Sequence, residues 1–287
     1  DVPHGAVASI TYYSAPLKRH RRMHVYTPPG YESNNTKYPV FYLQHGWGED
    51  ETAWFTQGRV PYIMDAMIAD KKVKPMIIVM DNLNAVKPGV GARTFAARGL
   101  VPDPSDSPAQ AGPGLGVLST MGEGRGAGTP GAGRGAGAPG AGRGAGGGML
   151  SGSAFTDMML TDLIPMIEKT YRVLPGSANR AMAGLSMGGM QTKSTTMANL
   201  DKFSYIGLFS GGNITLAEVK DPTAFKKQVK AVFFGSGELE KPEANIAAAD
   251  ELKKNGINAV AYVSPRTAHE FLTWRRCLRE FAPLLFK

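Results

Sequence analysis

The sequence predicts an α/β fold with a mostly parallel central sheet, helices on both faces and an antiparallel edge at the N-terminus. Short apolar runs rich in β-branched and aromatic residues recur along the 287-residue chain. Amphipathic stretches with helical spacing separate several of these runs, and the N-terminal region alternates in polarity as a hairpin does. Strands that alternate with helices form a parallel sheet covered on both faces.

The elements are predicted in order as follows. An N-terminal hairpin has strands over 6–14 and 21–27, and buried strands follow at 38–44 and 75–81 with a helix at about 60–69 between them. Later come a helix over 155–171, a strand and a helix on either side of Ser186, strands at 205–210, 230–235 and 259–263, and a helix over 243–254.

A segment at about 85–150 interrupts this alternation. Within it the nonapeptide at 124–132 is nearly repeated at 133–141, so that arginines recur at nine-residue intervals. The tract lacks large apolar side chains that would offset the entropy lost on ordering, and we expect disorder or an extended surface loop. A second hypothesis is that its arginines lie over the mouth of a binding site and attract an anionic ligand. Residues 1–287 are then one domain with this insertion.

Composition excludes several classes of function. The formal charge of +8 is not concentrated in a basic block with interleaved aromatic residues, which argues against nucleic-acid binding. No apolar run has the length of a membrane span, and the N-terminus lacks the basic and apolar regions of a signal peptide. The single cysteine, Cys277, excludes an intrachain disulfide and a cysteine-based zinc cluster. His20 and His24 lie in a basic strand region and are interpreted as a solvated surface face, so we expect no metal site.

The segment Gly184-Leu185-Ser186-Met187-Gly188 carries the chemistry. A serine between glycines, placed between a strand and a helix, is typical of a nucleophile elbow, in which a strained turn exposes the hydroxyl. A serine hydroxyl needs a base to take its proton and a carboxylate to orient that base. His269, in a loop after the last strand, is the expected base. Glu238 is the expected carboxylate, because it follows the predicted strand end by three residues; Glu240 stays an alternative.

Backbone N–H groups are expected to stabilise the oxyanion. They are those of Met187, which follows the nucleophile, and Trp47, in the loop after an earlier strand. His45, in the same loop, is interpreted as a structural hydrogen-bonding residue and is also a candidate for substrate contact. Trp274 is a candidate either for core packing or for a platform under a sugar or aryl ring.

Several segments together resemble one family of enzymes. They are Asp1-Val2-Pro3-His4-Gly5, Val25-Tyr26-Thr27-Pro28-Pro29-Gly30-Tyr31, His45-Gly46-Trp47-Gly48-Glu49, the serine motif with Met190-Gln191-Thr192, Asp201-Lys202-Phe203-Ser204-Tyr205-Ile206-Gly207, and His269 with Trp274. The chain resembles the esterase D and enterochelin esterase-like superfamily, and within it carbohydrate esterase family 1, the feruloyl and acetyl xylan esterases. The resemblance covers nearly the whole chain outside 85–150.

This resemblance implies an α/β-hydrolase fold and a serine esterase without a cofactor. Its implied substrates are feruloylated or acetylated plant polysaccharides, with His45, Gln191 and Trp274 as candidate substrate-binding residues. It also implies a secreted or periplasmic location and a possible carbohydrate-binding domain outside this chain. The family's acid is commonly an aspartate, whereas a glutamate stands here. The alternatives are acetyl xylan esterase, enterochelin-type siderophore esterase or acyl transferase on the same triad, and a non-catalytic carbohydrate-binding protein.

Overall fold

The computed structural model describes residues 2–85 and 152–287 of the chain. The predicted insertion at about 85–150 lies outside these residues, apart from its first position. In the described part, no helix is both long and apolar enough to cross a membrane.

One eight-stranded sheet organises the molecule. Its strands are β1 (Ala6–Ser14), β2 (Arg19–Thr27), β3 (Val40–Gln44), β4 (Ile77–Asp81), β5 (Arg180–Leu185), β6 (Tyr205–Phe209), β7 (Ala231–Gly237) and β8 (Ala259–Ser264). They lie in the order β1-β2-β4-β3-β5-β6-β7-β8. β1 pairs antiparallel with β2 and β2 antiparallel with β4, while every other pair is parallel. The predicted α/β fold with an antiparallel N-terminal edge is confirmed.

Helices cover both faces of this sheet. They are α1 (Ala53–Thr56), α2 (Val60–Ala69), α3 (Gly152–Met158), α4 (Ile164–Thr170), α5 (Met187–Ala198), α6 (Pro222–Gln228), α7 (Glu243–Lys254) and α8 (Phe271–Phe281). A π-helical turn, Met159–Leu163, joins α3 to α4. Residues of α2 and α8 share one hydrophobic cluster with the sheet, and residues of α3, α4, α6 and α7 share two others. Burial of apolar residues on both faces of the sheet is the main stabilising contribution.

The parallel strands bring six connecting segments to one edge of the sheet. β3, β4, β5, β6, β7 and β8 run in the same direction, so the residues that follow their carboxyl ends lie along a single edge. Ligands of open α/β sheets bind at this edge. The predicted nucleophile, its base and the loop with Trp47 all follow these strand ends.

Candidate active site

Ser186 occupies a sharp turn between β5 and α5. Its backbone has φ 50° and ψ −117°, a conformation that is costly for a residue with a side chain. The turn closes tightly, since a Cβ atom on Gly184 would lie 2.4 Å from the carbonyl oxygen of Gly188. The N–H of Ser186 donates to the carbonyl of Phe209 at 2.8 Å. The strained backbone is therefore held by the neighbouring strand β6, and the spacing of the glycines follows from this close approach.

His269 lies between Ser186 and a glutamate. Its Nε2 is 2.8 Å from Oγ of Ser186, and its Nδ1 is 2.6 Å from Oε1 of Glu240. Because Nδ1 carries the ring proton and donates it in a hydrogen bond to the carboxylate, Nε2 is left with a lone pair toward the serine hydroxyl. This arrangement is competent to remove the proton of Ser186.

The carboxylate that is bonded to His269 in the structure is that of Glu240 and not that of Glu238, the predicted residue. Glu238 is exposed, and its Oε2 accepts a hydrogen bond of 2.7 Å from the N–H of Arg266. The physical reason is the length of β7, which continues to Gly237 rather than ending near residue 235. Glu240 is therefore the residue three positions beyond the strand end, and the short 3₁₀ turn Glu238–Glu240 directs its side chain back toward the sheet.

Two further groups hold the second oxygen of Glu240. Oε2 accepts hydrogen bonds from the N–H of Gly237 at 2.6 Å and from the hydroxyl of Ser210 at 2.8 Å. The Ser210 oxygen in turn accepts a bond of 2.9 Å from the indole N–H of Trp274. Sequence reasoning missed Ser210. The one available signal was its position directly after a buried strand and before two glycines, at the edge where the other site residues lie.

The loop after β3 lies against the nucleophile. A Cβ atom on Gly46 would be 3.4 Å from Cβ of Ser186, and one on Gly188 would be 2.2 Å from the carbonyl oxygen of His45. Neither the N–H of Met187 nor that of Trp47 donates to another residue in the described part of the chain. Oxyanion donors must have no other acceptor, and these two N–H groups meet that requirement among the described residues.

His45 is fixed by hydrogen bonds inside this loop. Its Nε2 accepts from the N–H of Leu83 at 3.0 Å, so the ring proton is on Nδ1, which lies 2.8 Å from the carbonyl oxygen of Gly46. Burial lowers the pKa of His45 to about 4, so the ring is neutral near pH 7. The side chain is 1% exposed. These contacts agree with the interpretation of His45 as a structural hydrogen-bonding residue, and its contact with substrate stays a prediction.

The two other candidate substrate-binding residues are also buried. Gln191 is 3% exposed, and its Nε2 lies 3.4 Å from Oγ1 of Thr195 within α5. Trp274 is 5% exposed and stands edge-on to the His269 ring, with 5.1 Å between the ring centroids. Because its ring is buried, Trp274 offers no open platform for a sugar or aryl ring. The structure therefore does not place Gln191 or Trp274 where they would line an open substrate groove, whereas Trp47, which follows Gly46 in the loop after β3, is 45% exposed.

Glu49 adds a carboxylate to this edge that sequence reasoning did not single out. Its Oε2 accepts a hydrogen bond of 2.8 Å from the N–H of Gly46. Burial raises the pKa of Glu49, while the bond from Gly46 and the nearby His269 act in the opposite direction. Glu49 therefore fixes the start of the loop that follows β3 and contains Trp47, which we call the Trp47 loop. The Glu49 carboxylate is also close enough to His269 for the two groups to interact electrostatically.

A buried polar network supports the segment that holds His45. Arg21, which is fully buried, donates to the carbonyl oxygens of Asn82 and Asn84 and lies 3.4 Å from the Asp81 carboxylate. Asn82 also donates to buried Glu51 at 2.9 Å. Because these contacts fix the chain on both sides of Leu83, they fix the donor that orients His45.

No metal site accompanies these groups in residues 2–85 and 152–287. Within those ranges, no three His, Cys, Asp or Glu side chains are arranged to hold a metal ion. The lone cysteine, Cys277, is buried in α8, and burial raises the pKa of its thiol. The described chemistry of the site therefore consists of the serine, the imidazole, the carboxylate and the backbone donors.

Comparison with known proteins gives a family match. The family model "Esterase" matches residues 14–99 and 147–275. An endo-1,4-beta-xylanase/feruloyl esterase from Xylanibacter ruminicola is 37% identical over 291 residues, which cover 100% of this chain and 32% of that protein. Endo-1,4-beta-xylanase Y from Acetivibrio thermocellus is 37% identical over 81 residues, 28% of this chain and 7% of that protein. The chain thus spans a third or less of the length of these relatives.

Solved structures share the fold. A CE1 ferulic acid esterase from the anaerobic fungus Anaeromyces mucronatus superposes with a TM-score of 0.67 at 21% identity, covering 99% of this chain and 92% of that one. The enterobactin esterase of Shigella flexneri superposes with a TM-score of 0.62 at 14% identity, covering 99% of this chain and 59% of that one. At these identities the similarity establishes an α/β-hydrolase architecture.

Proposed function

Because this chain belongs to the Esterase family, we propose that it is a serine esterase that releases ferulate or related hydroxycinnamates from arabinoxylan. The observation that carries the proposal is the hydrogen-bonded series from Ser186 through His269 to Glu240. It lies beside two N–H groups that have no partner among the described residues. Such an arrangement activates a hydroxyl and stabilises the negative charge that develops when it attacks an ester.

The proposed reaction proceeds through an acyl-enzyme. Nε2 of His269 takes the proton of Ser186 as Oγ attacks the ester carbonyl carbon, and the carbonyl oxygen becomes an oxyanion bound by the N–H groups of Met187 and Trp47. Glu240 stabilises the imidazolium so formed. The imidazolium then gives its proton to the departing sugar oxygen as the ester bond breaks. Water, deprotonated by His269, attacks the acyl group in the same way and releases the acid and free Ser186.

The substrate class is inferred from the relatives. The relative that aligns over the whole of this chain combines a xylanase with a feruloyl esterase, and one solved structure of the same fold is a ferulic acid esterase. The exposed indole of Trp47, in the loop that lies against the nucleophile, suits an aromatic acyl group. Acetylated xylan and catecholate trilactones are the competing substrates on the same triad, and a non-catalytic carbohydrate-binding protein is the competing class.

Location and partners follow from the proposed substrate. A cell-wall polysaccharide is too large to enter a cell intact, so we propose that the reaction occurs outside the cytoplasm. The chain aligns with 32% of its full-length xylanase relative. We therefore also propose that it works together with polysaccharide-binding or polysaccharide-cleaving domains outside residues 1–287.

A substrate panel tests this proposal. Methyl ferulate, feruloylated arabinoxylan oligosaccharide, acetylated xylan, p-nitrophenyl acetate and a catecholate trilactone are compared by kcat/KM, with Ser186→Ala as the control. We expect the feruloyl esters to be preferred and the variant to be inactive on every substrate. A preference for acetylated xylan or the trilactone would overturn the acyl assignment, and activity retained by Ser186→Ala would overturn the serine mechanism.

A further inference from the structure

We propose that Ser210 and Trp274 are positioning residues that hold the triad carboxylate in its working orientation. This inference rests on the proposed function, because it concerns the same Ser186, His269 and Glu240. Hydrogen bonds run in series from the indole of Trp274 to Ser210, from Ser210 to Glu240, and from Glu240 to His269. Trp274 is separated from Ser210 by 64 residues, so the fold and not the local sequence brings them together.

The direction of each proton in this series is determined by chemistry. An indole N–H only donates, so the Ser210 oxygen accepts from Trp274 at 2.9 Å and its own proton is free for Oε2 of Glu240 at 2.8 Å. The N–H of Gly237 also donates to Oε2, at 2.6 Å. With two donors on Oε2, Oε1 is left to face Nδ1 of His269. The series therefore selects which carboxylate oxygen meets the base.

The backbone of Ser210 supports a specific role for this residue. Its φ of 51° lies in the left-handed region, where a residue with a side chain is disfavoured. A hydrogen bond of 2.6 Å from its N–H to the carbonyl of Gly235 holds this conformation. A Cβ atom on the next residue, Gly211, would lie 2.5 Å from Cα of Gly189, so this turn packs directly against the start of α5. The Ser210 hydroxyl is thus held by a rigid part of the sheet edge.

A glutamate needs this support more than the shorter aspartate does. It has an additional rotatable bond between the backbone and the carboxylate, and each free rotamer lowers the population of the working geometry. Glu240 is anchored at Oε2 on one side and bonded to His269 on the other. Ser210 and Gly237 therefore replace the rigidity that a shorter side chain would have.

Trp274 makes two separable contacts. Its ring stands perpendicular to His269 at 5.1 Å and to Phe271 at 4.9 Å, while its N–H donates to Ser210. Trp274→Phe keeps an aromatic ring beside His269 and removes only the donor. The effect of that variant thus isolates the hydrogen bond from the packing.

The test compares Ser210→Ala, Trp274→Phe and the double variant with the wild type. The readouts are steady-state kinetics on p-nitrophenyl acetate and the rate of labelling by a fluorophosphonate probe. For Ser210→Ala we expect a fall in kcat of about tenfold to a hundredfold with KM unchanged, the scale of losing one hydrogen bond to a charged group. Trp274→Phe should lower kcat less, and the double variant should match Ser210→Ala, because Trp274 acts through Ser210.

Two comparisons separate positioning from general destabilisation. Ser204, buried at the opposite end of β6, provides the matched control Ser204→Ala, which should keep the wild-type kcat. In a Glu240→Ala background, Ser210→Ala should have no further effect on kcat or on the labelling rate. Circular dichroism shows which variants fold. If Ser210→Ala does not fold, the kcat of Trp274→Phe tests the positioning role instead.

The possible outcomes are distinct. A folded Ser210→Ala with wild-type kcat, or a loss that persists when Glu240 is already alanine, overturns the positioning role alone. If Ser210→Ala does not fold, an unchanged kcat in Trp274→Phe likewise overturns the positioning role. A wild-type protein that neither hydrolyses esters nor labels overturns the proposed function itself, and the positioning role with it.

Discussion

Nδ1 of His269 lies 2.6 Å from Oε1 of Glu240, and this short contact fixes both the orientation and the tautomer of the imidazole. The ring is half exposed, whereas the carboxylate is mostly shielded from solvent. A partly desolvated carboxylate interacts more strongly with the imidazolium that forms during catalysis than a solvated one would. The carboxylate is therefore the group whose removal should affect the rate most after the serine and the base.

The first prediction separates the two glutamates of the turn after β7. Glu240→Gln should lower kcat by about 10³- to 10⁴-fold, the scale seen when the carboxylate of such a triad becomes an amide. Glu238→Gln should lower it less than about threefold, because its side chain binds the backbone of Arg266 and not His269. The measurement is kcat on p-nitrophenyl acetate for both variants. Equal losses in the two variants would contradict the assignment of Glu240.

The second prediction concerns the strained turn at Ser186. Ser186→Ala should be inactive with an unchanged free energy of unfolding, since alanine keeps the Cβ atom that disfavours φ 50°. Ser186→Gly should be equally inactive but more stable, by about 1 kcal/mol, because glycine adopts this conformation without steric cost. Urea unfolding of the three proteins measures the difference. A glycine variant that is no more stable than the alanine variant would show that the turn stores no strain.

The sequence was sufficient for the fold because its signals are local. Alternating polarity in the N-terminal hairpin and the short buried runs require no knowledge of tertiary contacts, and the predicted sheet is confirmed. The end of β7, by contrast, could not be predicted from local sequence signals. The predicted strand stops at Gly235, and Ser236 and Gly237 extend it because they pair with Val263 and Ser264 of β8. Because the sequence predicts a strand that is two residues shorter, it favours Glu238 over Glu240 as the carboxylate.

The supporting contacts of the site were beyond sequence reasoning for the same reason. Ser210 meets Trp274 across 64 residues, and His45 meets Leu83 across 38. Nothing in the spacing of these residues along the chain indicates such pairs. The motifs predicted which residues do chemistry, whereas the contacts that hold them depend on the completed sheet. The catalytic roles of Ser186, His269 and the two backbone donors stay predictions until the variants are measured.

The third prediction is a pH dependence of stability that originates from His45. Its pKa is about 4 in the folded protein, against the ordinary value of 6.5 that applies to the unfolded chain, so only the unfolded chain binds a proton as pH falls from about 6.5. Stability is fully present above that range and is lost progressively down to about pH 4, below which this histidine contributes no further change. The maximum loss is about 3 kcal/mol.

A comparison with His45→Gln isolates this contribution. Other groups, among them His24, whose pKa is also lowered by burial, titrate in both proteins and cancel in the difference. The free energy of unfolding is measured from pH 4 to 8 by urea titration. We expect the wild type to lose more stability than His45→Gln over this range. Parallel curves would contradict a buried neutral His45.

The fourth prediction tests the contact between the nucleophile helix and the Trp47 loop. In Gly188→Ala the new Cβ would lie 2.2 Å from the carbonyl oxygen of His45, a backbone atom that cannot rotate away. The loop must shift, and with it the N–H of Trp47. Loss of one oxyanion donor costs about 10²- to 10³-fold in kcat, so a fall of that order is expected. Met190→Ala, an exposed site on the same helix, is the control and should keep its activity. Because a Cβ on Gly184 would lie 2.4 Å from the Gly188 carbonyl oxygen, the nucleophile turn and the loop after β3 share this contact, and a folded Gly188→Ala protein with full kcat would contradict its role in catalysis.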